Sequence, residues 1–256
     1  MIHWIDDHLP LPPTREALGP DDDFPGLLAV GGRVTVKRLE EAYRHGVFPW
    51  FSQGQPPLWW SPDPRMVLFV DEFRLPRSLC KTLRRFIFTE GCEVRIDTAF
   101  EQVLTSCAQT SRPGQDGTWI GPEIAEAYLA WHRRGHVHSV ETWVDGQLVG
   151  GLYAVAIGAM CFGESMFAHQ ADASKIALAA LVALCRDRGI AMIDCQQNTA
   201  HLARFGAREI PRQDFEGHLR KALAHRDDRP WAYHRPLWRH LPLFDGPGRP
   251  ASTDLA

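Results

Sequence analysis

The stretch from His136 to Gln196 constrains the fold more than any other part of the chain. HVHSVETW and QLVGGLYAVAI are both β-prone, and they flank Val144-Asp145-Gly146. An Asp-Gly pair between two such runs predicts a tight hairpin, because these residues tolerate the positive φ that the turn needs. AMCFGESMF predicts a further strand. ASKIALAALVALCRDRG predicts a helix, with Leu178, Leu181, Val182 and Cys185 on its inner stripe and Gly189 at its stop. IAMIDC then predicts a short apolar strand. Just before this stretch, GPEIAEAYLAWHRRG has Pro122 in a first turn, Gly135 past its end, and Ile124, Tyr128 and Trp131 on one face. Helix, hairpin, strand, helix, strand predicts an α+β fold with a mixed sheet covered by helices.

Upstream, VKRLEEAYRHG places Val36, Leu39 and Tyr43 on one helical face, and Gly46 is a natural stop. From Phe48 to Pro64 the chain is too rich in Pro and Trp for regular helix. MVLFV, from Met66 to Val70, predicts a strand, and RSLCKTLRRF a short helix. Residues 1 to 25 predict an irregular arm. Beyond about Arg226 the chain is rich in Arg, Pro and Trp, and its last dozen residues predict disorder.

Lys and Arg number 28 and Asp and Glu 31, so the net charge is 28 − 31 = −3. Any anionic partner must therefore meet a local basic patch. Such a patch is visible: from Arg74 to Arg85 every charge is positive, and Arg77, Lys81 and Arg84 fall at i, i+4, i+7 beside Arg85, with Leu79 and Leu83 free to face inward. A solvated helix face reads the same way. No stretch approaches the roughly 20 apolar residues of a membrane span. The N-terminus lacks the basic and apolar regions of a signal peptide. Six cysteines (Cys80, Cys92, Cys107, Cys161, Cys185 and Cys195) show no CxxC spacing. A reduced, cytoplasmic protein is expected.

Two places put charge where packing does not call for it. Asp194 and Gln196 end an apolar strand two residues apart, which predicts that both lie on one face; Asp194 could equally start a turn. In CFGESMF, alternation puts Phe162, Glu164 and Met166 on one face. A carboxylate there is costly unless paired. It either joins a structural ion pair with an arginine or meets a cation of a substrate. Among the tryptophans, Trp60 and Trp143 read as core, whereas Trp50 lies in a Pro-bounded loop. His136 and His138 have no acidic or Cys partner at ligand spacing, so no metal is expected.

The blocks GVFPWF (Gly46 to Phe51), LWWSPDPR (Leu58 to Arg65), GTWIGPEIAEAYL (Gly117 to Leu129), HSVETW (His138 to Trp143), CFGESMF (Cys161 to Phe167) and IDCQ (Ile193 to Gln196) occur in this order. In order and wording the chain resembles the leucyl/phenylalanyl-tRNA–protein transferases, from about Phe24 to Arg212. The resemblance implies a small N-terminal domain (1–64), an N-acetyltransferase-like domain (65–230) and a C-terminal tail (231–256). It implies transfer of Leu, Phe and also Met from aminoacyl-tRNA to the α-amine of proteins that begin with Lys or Arg, marking them for degradation. Asp194 and Gln196 would form the reaction centre, and Glu164 would bind an acceptor cation. Trp50, Trp119 and Tyr128 would surround the 3′-terminal adenosine. Met166, Ile193 and Leu152 would hold the donor side chain. Arg77, Lys81, Arg84 and Arg85 would meet the acceptor stem. The chain departs from the family at Gly31-Gly32-Arg33-Val34-Thr35, where GGDLS is usual, and at Phe205 in HLARFGA, where HLASLGA is usual.

The chemistry suits these residue types. Aminoacyl-tRNA is already an activated ester, and an α-amine titrates near roughly 8, so no enzyme nucleophile is required. Orientation and a hydrogen-bond acceptor for the attacking amine are what help. Gln196 would accept from that amine, by positioning it or by relaying a proton. Asp194 would orient Gln196 and stabilise charge developing on the amine. An acyl-CoA-dependent N-acetyltransferase would need a glycine turn before the long helix. His169-Gln170-Ala171-Asp172-Ala173-Ser174-Lys175 contains no glycine, so no coenzyme A and no other cofactor is expected. A non-catalytic module that binds tRNA or peptide ends is the other alternative, and the presence of IDCQ and GESMF weighs against it.

Overall fold

The computed structural model describes residues 2–110 and 118–243. Gly117 and the expected disordered tail lie outside the described residues. The first sheet has the order β1-β2-β4-β3 and is built from β1 (His3–Ile5), β2 (Leu27–Gly31), β3 (Phe48–Pro49) and β4 (Leu58–Trp60). Helix α1 (Val36–Arg44) joins β2 to β3. Thr35 caps it, its side chain accepting the Arg38 N–H at 3.2 Å, so the departure from GGDLS leaves a working cap. Gly46 ends the turn after α1 at φ 74°. A Cβ there would lie 2.8 Å from the Phe215 ring, so the turn packs close and takes glycine on both counts.

The second sheet has seven strands in the order β11-β5-β10-β9-β8-β7-β6. They are β5 (Arg65–Phe69), β6 (Cys92–Ile96), β7 (Val137–Val144), β8 (Gln147–Ile157), β9 (Met160–Ala168), β10 (Met192–Gln196) and β11 (Arg208–Ile210). The helices are α2 (Arg77–Phe88), α3 (Phe100–Gln109), α4 (Pro122–His132), α5 (Ala173–Asp187), α6 (Ala200–Ala203) and α7 (Arg212–Leu223). The expected hairpin joins β7 to β8, with Asp145 and Gly146 at φ 49° and 73°. All neighbours pair antiparallel except β9 and β10, which run parallel. A small N-terminal sheet followed by a mixed sheet flanked by helices is the α+β architecture expected.

The two sheets share one core. Leu27, Tyr43, Phe48 and Trp59 pack with Tyr153, Phe162, Phe167 and Phe215. On the other face of the large sheet, α5 and α2 pack with Leu152, Ile193, Leu237 and Trp238. Helix α5 is buried almost all round rather than along one stripe. Gly150 lets it approach: a Cβ there would sit 2.4 Å from the Ala173 methyl. The segment Arg235–His240 covers the outer side of α5 and brings Leu237 and Trp238 into the core.

Three details depart from simple alternation. The β8–β9 ladder is irregular between Tyr153 and Ala154, which pair with Ser165 and Gly163 and leave Glu164 unpaired. This bulge shifts the pattern by one. Phe162 therefore joins the core shared by the sheets while Met166 packs on the α5 side, and the expectation that both share a face with Glu164 is corrected. The β10–β5 ladder is irregular between Asp194 and Gln196, and Gln196 takes φ 63°. Period-2 geometry thus fails where the Asp194–Gln196 pair was expected to use it.

Candidate active site

Pairing between β9 and β10 ends after Ile193 with Cys161 and Asp194 with Phe162. Beyond that point the strands are bridged by side chains. Gln196 Nε2 donates to Glu164 Oε1 at 3.0 Å. Tyr128 donates from its hydroxyl to Glu164 Oε2 at 3.2 Å, and its oxygen lies 2.5 Å from that of Tyr43. Since Tyr128 spends its proton on Glu164, Tyr43 donates to Tyr128. The order is Tyr43 to Tyr128 to Glu164, with Gln196 entering from the other side.

Asp194 is fully buried, and both its oxygens are engaged. Arg65 donates from Nε to Oδ1 at 2.8 Å and from Nη2 to Oδ2 at 2.6 Å. Oδ1 also accepts the Gln196 backbone N–H at 2.9 Å. Asp194 therefore orients Gln196 through the backbone, not through the amide side chain, and presents no surface to a substrate. The stabilisation of charge on the amine expected of Asp194 would therefore act without direct contact. The Arg65 guanidinium lies over the rings of Phe48, at 4.7 Å, and Phe215, at 4.6 Å.

Burial pushes the half-buried Glu164 carboxyl up to about 7; hydrogen bonding by the linked Tyr43–Tyr128 pair and by Gln196 pulls it down, and the Asp194 charge adds to the rise. Burial and the Glu164 charge hold the Tyr43 and Tyr128 phenols well above their ordinary range. Burial, reinforced by Asp194, also pushes the Cys195 thiol up, so it stays protonated and is a poor nucleophile at neutral pH. Among the described residues Glu164 has no lysine or arginine partner, so the alternative of a structural ion pair with an arginine is corrected. The arginine that could have served is committed to Asp194.

The other expected residues fall as follows. Trp119 is buried, its ring 6.5 Å from that of Tyr128 at 85°. Tyr128 has no exposed ring face and reaches the site through its hydroxyl. Trp50 is half-buried against Trp60, its carbonyl accepting the Trp60 indole N–H at 2.7 Å. Leu152 pairs across strands with Met166, and both pack with Ile193 on the α5 side of the sheet. Arg77, Lys81, Arg84 and Arg85 are exposed on α2 without an ion-pair partner among the described residues. Arg84 is partly committed, since its Nε donates to the Leu243 carbonyl at 2.5 Å. Two surface hollows, of about 370 Å³ beside Tyr233 and about 240 Å³ beside His218, are not lined by Glu164 or Gln196. Sequence reasoning misses Arg65 and Tyr43. An arginine opening the apolar strand MVLFV signals a buried carboxylate partner, and Asp194 is an acid in a second apolar strand.

Comparison with known proteins places this arrangement. Residues 67–220 match the model of the leucyl/phenylalanyl-tRNA protein transferase family, and residues 32–63 match that of its N-terminal domain. The leucyl/phenylalanyl-tRNA–protein transferase of Methylibium petroleiphilum is 61% identical over 96% of this chain and 92% of its own. That of Leptothrix cholodnii is 59% identical over 99% of this chain and 100% of its own. Among solved structures, a GCN5-related N-acetyltransferase from Kribbella flavida aligns with a TM-score of 0.33 at 13% identity, covering 66% of this chain and 59% of that one. The class defined is an aminoacyltransferase of α+β fold. More particularly, the chain belongs to the leucyl/phenylalanyl-tRNA–protein transferase family.

Proposed function

We propose that this chain transfers Leu, Phe and Met from aminoacyl-tRNA to the α-amine of proteins that begin with Lys or Arg, in the cytoplasm, and that the new N-terminus marks them for degradation. The observation that carries the reading is the Gln196–Glu164 contact. An ionised carboxylate accepts only, so it holds the amide NH₂ toward itself. The amide oxygen of Gln196 then points away from Glu164 and is available to an attacking amine. Glu164, half-buried and without a cation of its own, is suited to the basic end of an acceptor.

In the reaction the α-nitrogen attacks the ester carbonyl. A C–N bond forms, the ester C–O bond breaks, and the ribose oxygen leaves as a hydroxyl with a proton in place of the one the amine gives up. Gln196 accepts a hydrogen bond from the amine and so fixes its approach. Trp50, half-buried, offers aromatic surface for the terminal adenosine, with the buried Trp119 and Tyr128 behind the site. Leu152, Ile193 and Met166 are assigned to the donor side chain; of the three, only Met166 is not fully buried. Arg77, Lys81, Arg84 and Arg85 take stem phosphates. Segment 1–64 would serve as a small N-terminal domain and 65–230 as the catalytic domain, with 231–256 as a C-terminal tail. We expect no coenzyme A, because the segment before α5 has no glycine turn and Asp172 at its start is bound to Lys175 at 2.6 Å.

The test mixes purified protein with labelled Phe-tRNA and peptides that begin with Arg, Lys or Ala. Label entering the Arg and Lys peptides alone is expected. Label entering the Ala peptide equally, or none, would sink the reading.

A further inference from the structure

Arg65 stands apart from every residue so far given a role. It is 1% exposed, 129 residues from Asp194 in sequence, and it opens a strand next to the one that carries the reaction centre. Its planar fork matches the Asp194 carboxylate with two parallel bonds, a geometry that lysine cannot reproduce. The guanidinium lies over the rings of Phe48, from β3 of the small sheet, and Phe215, from α7. Nη1 is buried without a partner among the described residues, so the pair is costly for the fold. A hydrophobic pair would hold the strands at less cost. The charge must serve something else.

What the pair holds is a backbone. Gln196 has φ 63°, which a side-chain-bearing residue adopts only when its surroundings impose it. The Gln196 N–H meets Asp194 Oδ1, the same oxygen that Arg65 Nε holds. Were that oxygen protonated or turned away, the N–H would lose its acceptor and the Gln196 side chain its aim at Glu164.

We propose that Arg65 is a positioning residue for the transfer reaction: through Asp194 it fixes the Gln196 backbone, and so sets where the Gln196 amide oxygen meets the acceptor amine. This rests on the function proposed above. It also makes Phe48, in the N-terminal sheet, part of the support of the reaction centre.

Arg65→Lys keeps the charge without the fork, and Arg65→Gln keeps a donor without the charge. Both are compared with wild type in single-turnover transfer of Phe to an Arg peptide. Turnover at saturating donor and acceptor should fall about 100-fold or more in Arg65→Gln and about 10-fold in Arg65→Lys, as for loss of a positioned catalytic group. The KM for Phe-tRNA should change by less than about threefold, because no phosphate contact is touched. Asp194→Asn combined with Arg65→Gln should be no slower than either alone, since the residues act as one unit. Folding is followed by circular dichroism. If Arg65→Gln does not fold, Arg65→Lys decides alone. A readout independent of activity is the side-chain amide resonance of Gln196 and the titration of the Glu164 carboxyl by NMR. Both should move in Arg65→Lys. Turnover within threefold of wild type in a folded variant, or unmoved Gln196 and Glu164 resonances, would overturn the proposal. Moved resonances in a protein that transfers no Phe would uphold the positioning and remove the function instead.

Discussion

At the scale of single residues, the protonation of Glu164 decides which way Gln196 faces. With the carboxyl ionised, the Gln196 NH₂ donates to it and the amide oxygen is free. Once protonated, Glu164 can donate, and the amide has reason to turn over. Burial has pushed this carboxyl up to about 7, so turnover should climb as pH rises through about 7. Stability runs the other way. The folded form holds its proton above the ordinary value of 4.5, where the unfolded chain has released it. Its contribution is therefore full below 4.5 and is lost as pH rises toward 7. Glu164→Gln should flatten the acid limb of the rate profile and lower turnover throughout. Relative to wild type it should gain about 1–3 kcal/mol in urea unfolding between pH 5 and pH 8, the range allowing for solvent access to a half-buried group. A wild-type rate that is flat from pH 6 to 8 would refute this role for Glu164. Gln196→Ala removes the amide itself. It should cost about 10² or more in turnover while tRNA binding stays within about threefold, and Asp194→Ala should follow it. Parallel loss of tRNA binding would show that the residues hold the donor instead.

At the scale of elements, α2 tests whether charge or contact recruits the donor. Arg77, Lys81 and Arg85 are exposed and unpaired among the described residues, whereas Arg84 also holds the Leu243 carbonyl. Replacing the first three with Gln should weaken tRNA binding and reduce the slope of log K against log salt by about 0.7–0.9 for each phosphate no longer neutralised. An aminoacyl-adenosine donor, which has no stem, should be used as before. Adding Arg84→Gln should also lower thermal stability, because it loosens the strap over α5. Most of this element-level picture is legible in sequence. The Asp-Gly turn, the capped helices and the apolar run of α5 announce themselves through local rules. Helix α3 also carries Phe100, Val103, Leu104 and Cys107 at helical spacing, a signal present but unused. The blocks point to Glu164, Asp194 and Gln196, but not to what they do to one another. The bulge that sends Met166 away from Glu164 and the left-handed backbone of Gln196 arise from strand pairing, which no single stretch encodes. Arg65 escapes for the same reason: its partner lies on another strand, and only the folded sheet sets them side by side.

At the scale of the whole molecule, the two sheets cannot be treated as separate folding units. The core that holds Leu27, Tyr43 and Trp59 also holds Val137, Tyr153 and Phe162, so neither sheet covers its apolar face without the other. Polar links cross the same boundary. Tyr43 of α1 reaches Tyr128 of α4, Thr14 bonds Glu216 of α7 at 2.5 Å, and Phe48 covers Arg65. Removing residues 1–64 would uncover the Arg65–Asp194 pair on one side and strip Tyr128 of the phenol that donates to it. A fragment comprising residues 65–256 should therefore be insoluble or show the loose tertiary packing of a partly folded state, without transfer activity. The intact chain should unfold in a single calorimetric transition, its van't Hoff and calorimetric enthalpies agreeing within error. Two resolved transitions, or a 65–256 fragment with native-like near-ultraviolet circular dichroism, would show that the small sheet is an appendage after all. In that case Phe48 would be dispensable to the reaction centre, and Phe48→Ala would leave turnover unchanged. If the core is indeed continuous, Phe48→Ala should cost about 3–5 kcal/mol of stability, the usual range for emptying a buried aromatic site. At a temperature where the variant remains folded, its turnover should fall along with that of Arg65→Lys, since both loosen the same guanidinium.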